Sequence, residues 1–175
     1  MRFYAILNNE GYRKENWKMS SILDVANFFL AKESMSPKKL QKIVYYAYSW
    51  TLALLNDDEN NLQNKLFPNR IEAWVHGPVV PDLYQKYKSY GWSNIPKNTD
   101  FLPLMFNFDE IDVLNQVWDV YGKYTANELE MISHKESPWI HARKGLAAYS
   151  SSSNVIEDKE IFRFFVKQAE DNEKA

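Results

Sequence analysis

Residues 71–84 place the strongest backbone constraint on this chain. The run Ile71-Glu72-Ala73-Trp74-Val75-His76-Gly77-Pro78-Val79-Val80-Pro81-Asp82-Leu83-Tyr84 reads as a short strand, a Gly-Pro turn, a second proline and an aromatic helix. Gly77 gives the backbone freedom at the corner, and Pro78 and Pro81 remove it on either side. A strand this short cannot stand alone, because its peptide groups need partners. It is expected to form a small hairpin or to pair with an irregular segment such as Phe101-Leu102 or Phe3 to Leu7. Trp74, Val79, Val80, Leu83 and Tyr84 surround the corner, as core anchors or as a binding surface.

The rest of the chain reads as helix. Ser21 with Asp24 is a capping box, followed by Ile22, Val25, Ala26, Phe29 and Leu30 at helical spacing. Ser36-Pro37 starts a second helix of about 19 residues. Leu40, Ile43, Val44, Ala47, Thr51, Leu54 and Leu55 form its inward stripe. Lys38, Lys39, Lys42, Tyr45, Tyr46 and Trp50 fall on its other side, as contacts for a partner or as rings packed beneath neighbouring helices. Residues 56–69 read as a polar loop. A helix over 81–90 points Leu83, Tyr84 and Tyr87 inward and stops at Gly91. Residues 92–108 form an irregular connection. Further helices span 109–121, start at Thr125 with Glu128 in a capping box, start again at Ser137-Pro138, and run from Asp158 to about Glu170. The expected fold is mainly α: a compact domain of six or seven helices with a small β-hairpin or short strand pair. It divides into an N-terminal extension (1–18), the domain itself (19–170) and a fraying tail (171–175), with Met19 as an alternative start.

Composition narrows the chemistry. The chain has 175 residues, with six Trp, eleven Tyr and ten Phe, more rings than a core of this size needs. Aromatics also serve as rigid interface anchors. Net charge is −2 and the pI is about 5.9, which weighs against nucleic acid as the partner. The absence of cysteine excludes disulfides, a thiol nucleophile and cysteine-ligated metal, and fits a cytoplasmic protein. No apolar run approaches the roughly 20 residues of a membrane span. His76, His134 and His141, with Glu136 nearby, lack the spacing of a zinc site. His76 is expected to fix the turn through a backbone hydrogen bond. Ser36 and Ser137 precede prolines, where helix capping explains them. Asp57-Asp58-Glu59 reads as a solvated loop. The expectation is a protein without catalytic residues, metal or cofactor.

Three ordered blocks carry a family resemblance. Lys39-Leu40-Gln41-Lys42-Ile43-Val44-Tyr45-Tyr46-Ala47 resembles the leading motif of the Panacea domain, also called the SocA-like or phage-associated GepA-like domain. Trp74-Val75-His76-Gly77-Pro78-Val79-Val80-Pro81-Asp82-Leu83-Tyr84 is similar to its second block. Ser133-His134-Lys135-Glu136-Ser137-Pro138-Trp139, with Ala142-Arg143 behind it, is similar to the third. The resemblance spans about residues 20–168. It implies an antitoxin that binds a cognate toxin encoded by an adjacent gene in a bacterium or prophage. Leu40, Gln41, Gly77, Pro78, Val79, Pro81, Tyr84, His134, Pro138 and Trp139 then build the shared fold. Candidate partner contacts are Lys38, Lys39, Lys42, Tyr45, Tyr46, Trp50, Trp74 and His76. The alternatives are an adaptor that delivers a toxin to a protease and a nucleic-acid-binding regulator using Lys38, Lys39, Lys42 and Arg70.

Overall fold

The structure, a computed structural model, describes residues 19–174. The expectations for residues 1–18 therefore lie outside the described residues. Among the described residues, seven α-helices and one two-stranded sheet make the fold mainly α. Local cap chemistry sets most helix starts. In α1 (Ile22–Lys32) the Ser21 and Asp24 side chains satisfy each other's backbone N–H groups. In α2 (Pro37–Leu54) the Ser36 hydroxyl accepts from the Lys39 N–H, and Pro37 fills the first helical position. The same reciprocal box opens α5 (Ala126–Ser133) at Thr125 and Glu128. An unforeseen box at Asn107 and Glu110 opens α4 (Phe108–Tyr121). Glu136, not Ser137, occupies the N-cap of α6 (Ser137–Ala142), so Pro138 sits inside its first turn, where its missing N–H costs nothing. The last helix, α7, runs Asp158–Glu173, three residues further than expected.

The second helix is the axis of the fold. Every residue from Leu40 to Leu52 is buried. It packs against α1, α3 (Pro81–Tyr87), α4, α5 and α7, most extensively against α7. The expected stripe does face inward, but the side carrying Lys42, Tyr45, Tyr46 and Trp50 is equally enclosed. Those rings pack beneath neighbouring helices. Tyr46 stacks on Tyr121 with centroids 3.9 Å apart and planes within 8°. The Phe165 ring meets Tyr45 and Trp50 edge-on at 6.1 and 5.1 Å. Trp50 Nε1 donates to the Tyr121 hydroxyl at 3.1 Å. Such ring pairs contribute about 0.5–1.5 kcal/mol each beyond their buried area.

The hairpin corrects the reading of the Gly-Pro corner. Strand β1 (Glu72–Trp74) pairs antiparallel with β2 (Gly77–Val79), Ala73 opposite Pro78 and Trp74 opposite Gly77. The turn is Val75-His76, and Gly77-Pro78 belongs to the second strand. Proline is tolerated there because β2 is an edge strand. On the other side of β1, the Ala73 N–H donates to Asn154 O and the Ile156 N–H to Ile71 O, both at 2.8 Å. Phe101-Leu102 forms no strand, and Phe3 to Leu7 lies outside the described residues. Tyr84 is exposed rather than inward, and Tyr87 is half-buried. Residues 56–69 are a loop, pinned by buried Leu66 and Phe67.

Candidate functional site

Seven side chains of α2, α6 and the residues flanking α6 tie the hairpin, α2 and α6 to one another. Gln41 meets the Val80 peptide with both ends of its amide: Nε2 donates to Val80 O at 3.1 Å, and the Val80 N–H donates to Oε1 at 2.9 Å. Lys42, 1% exposed, donates from Nζ to Pro78 O at 2.9 Å. The Tyr45 and Tyr46 hydroxyls donate to the two oxygens of Glu136 at 3.2 and 3.0 Å. Trp139 Nε1 donates to Trp74 O, and Arg143 Nη1 to Ala73 O, both at 3.0 Å. Replacing Gln41 with Leu keeps the volume but leaves the buried Val80 N–H unpaired, while the Val80 carbonyl keeps the Tyr84 N–H at 3.0 Å. The expected loss is about 1–3 kcal/mol, read from urea unfolding.

At the turn of the hairpin a cleft forms. Val75 and His76 at the tip, His134 and Glu130 of α5, Trp139 and Ile140 of α6, and the 143–149 segment enclose about 540 Å³. The Glu130 carboxylate pairs with Lys38, which also donates to Asn127 at 2.8 Å. His76 Nδ1 lies 2.9 Å from Glu130 Oε1, so the tip is tied to a side chain and not to the backbone, as had been expected. Burial pushes the Glu130 carboxyl up, but hydrogen bonds from Lys38 and His76 outweigh it and hold the group below its ordinary value. Burial lowers His134 although Glu130 pulls the other way. His134 stacks on Trp139 at 4.1 Å and 17°, and the Arg143 guanidinium lies over the same indole at 5.2 Å.

A model of the SocA-like antitoxins, the Panacea domain, matches residues 40–140, more than half of the chain. The chain belongs to the Panacea domain family. No curated protein and no solved structure matches it. Membership supports an antitoxin-type role with a protein partner. Among the described residues no helix is long and apolar enough to cross a membrane, and no group of His, Asp or Glu is arranged to hold a metal ion.

Within this Panacea domain the three sequence blocks meet one another. Gln41 and Lys42 join the first to the second, Tyr45 and Tyr46 join the first to the third, and Trp139 joins the third to the second. Of the candidate partner contacts, Lys42, Tyr45, Tyr46 and Trp50 are buried and present no surface. Lys39 is half-buried, donating to Gly122 O at 2.7 Å and pairing with Glu33 at 3.1 Å. Trp74 is half-buried, its Nε1 donating to Glu72 and its ring edge-on to Tyr84. Lys38 and His76 converge on Glu130, and His76 is 74% exposed. Leu40 and Val79 lie in the core, Pro138 is buried, and Pro81 opens α3. Sequence reasoning missed Glu130, Arg143 and Tyr149 as cleft residues. Glu130 stands four residues before His134, a helical neighbour spacing that carries a signal. Tyr149 carries none.

Proposed function

We propose that this Panacea domain is an antitoxin that neutralises a protein toxin, encoded by an adjacent gene, through stoichiometric binding in the cytoplasm. The match over residues 40–140 carries the reading. The internal engagement of the motif side chains supports it in one respect. If Gln41, Lys42, Tyr45, Tyr46 and Glu136 hold the hairpin to the helices, partner contact falls to the surrounding surface. That surface offers exposed apolar groups, among them Tyr149 at 91% and Ile140 at 46%. Rigid rings give contact area at low entropic cost. The role is binding rather than catalysis.

A nucleic-acid role is less well supported. Lys38 is paired with Glu130, Lys39 with Glu33, and Arg70 with Glu72, while Lys42 is buried on Pro78 O. Counterion release needs lysines and arginines free to face phosphates.

Co-expression tests the proposal. A neighbouring open reading frame that arrests growth alone should be tolerated when this chain is produced with it, and the two should co-purify at equal ratio. Growth arrest that persists, or no toxic neighbour at all, removes the reading. A partner rescued but rapidly degraded identifies a protease adaptor instead.

A further inference from the structure

We propose that the cleft between the hairpin tip, α6 and the 144–149 loop seats an extended acidic segment of the partner protein, with an apolar side chain against Tyr149. The inference rests on the antitoxin reading and names the surface that serves it. Charge is the first argument. Arg143, only 7% exposed, donates to the carbonyls of Ala73, Ala147, Ala148 and Ser150. No carboxylate among the described residues lies within ion-pair distance of its guanidinium, so its positive charge is met only by dipoles and the Trp139 face. Lys144, exposed on the same wall, has no side-chain partner among the described residues. Among the described residues the one carboxylate lining the cleft, Glu130, is already paired with Lys38. The cleft is therefore electropositive inside a chain of net charge −2, and it complements carboxylates.

Apolar exposure is the second argument. Tyr149 is 91% exposed, Ile140 46% and Leu146 40%, and all three line the cleft. Arg143 ties down the loop that carries Tyr149, so the ring is presented on a fixed backbone and little ordering is left to binding.

A phosphate backbone is the competing occupant of a positive cleft, but it needs several free cations in register, and among the described residues lining the cleft only Lys144 is free.

A defined probe tests the surface without the toxin. A hexapeptide with central Leu-Phe flanked by glutamate pairs should shift backbone resonances of residues 140–149 in the full chain. Tyr149→Ala and Lys144→Glu should each weaken binding by about tenfold, whereas Leu104→Ala and Phe108→Ala, on other exposed sites, should stay within about twofold. The inference is overturned if the shifts map elsewhere, or if the lysine-flanked peptide or a short DNA duplex binds equally well. Absence of binding up to about 5 mM overturns it too. The growth assay reads the antitoxin role separately: peptide binding in a chain that rescues nothing keeps the surface and removes the toxin.

Discussion

Gly77→Val is expected to strip about 2–6 kcal/mol from the stability of the domain. Gly77 has φ +95°, a conformation that side-chain-bearing residues rarely adopt and β-branched ones resist most. A Cβ there would stand 2.8 Å from Ser133 Oγ and 2.9 Å from Lys42 Nζ. Neither neighbour can withdraw freely. Ser133 is fully buried, and Lys42 Nζ is anchored on Pro78 O. Backbone strain of about 1–3 kcal/mol adds to overpacking of about 1–3 kcal/mol. Against a total stability of about 5–15 kcal/mol, a loss of about 2–6 kcal/mol removes a large share of it and unfolds the domain outright only at the low end of that range. Urea unfolding followed by circular dichroism reads the result. A variant with wild-type stability that simply fails to neutralise would show that Gly77 is a contact residue and not a structural one.

A stability minimum near neutral pH is the second large effect, and two buried groups cause it. Burial pushes Glu136, 4% exposed, from 4.5 up to about 8, although the Tyr46 and Tyr45 hydroxyls favour its charge. The folded state holds that proton more tightly than the unfolded chain. Its contribution is complete below about pH 4.5 and is lost as pH rises to about 8. Burial pulls Lys42 from 10.5 down to about 7, against the opposing pull of Glu130. There the unfolded chain binds the proton more tightly. That contribution is complete above about pH 10.5 and is lost as pH falls to about 7. The two curves cross where both are depleted, between about pH 7 and 8, and each swing is on the order of 3–5 kcal/mol. Glu136→Gln should flatten the acid limb and add about 2–4 kcal/mol near pH 8. Lys42→Met should flatten the alkaline limb. Unfolding free energies from about pH 5 to 10 decide it; above that range the buried Tyr45 and Tyr46 hydroxyls also titrate out of reach. A flat profile, or one untouched by Glu136→Gln, would falsify this account.

What could be read from the sequence follows the range of the interaction that fixes it. Ser21, Ser36 and Thr125 announce helix starts because a cap acts within three residues. The Gly77-Pro78 corner was visible as a constraint but assigned to the wrong element. Both residues suit a turn, and what places them in β2 is the register with Ala73 and Trp74. The enclosure of α2 was hidden by its polar ends. Lys42, Tyr45 and Tyr46 look amphipathic until Pro78 and Glu136, 36 to 91 residues away, supply partners. The family blocks were legible as motifs, whereas their role in bonding to one another needed the fold. Trp74 and His76 are both candidate partner contacts in the sequence; the structure half-buries Trp74 against Glu72 and Tyr84 and sets His76 on the cleft beside Glu130. Tyr149 sits in a turn with no periodicity, and nothing local distinguishes it.

The burial of α2 also bears on how the protein comes into being. Its neighbours run from α1 to α7, nearly the whole described chain, and its largest contact is with the last of them. On the ribosome, Tyr45 and Trp50 emerge more than a hundred residues before Phe165, which closes over them. Until α7 is made, the nascent chain carries an uncovered aromatic helix that sticks to whatever it meets. A chain that stops before α7 therefore lacks the ring that closes over Tyr45 and Trp50 and cannot complete the core.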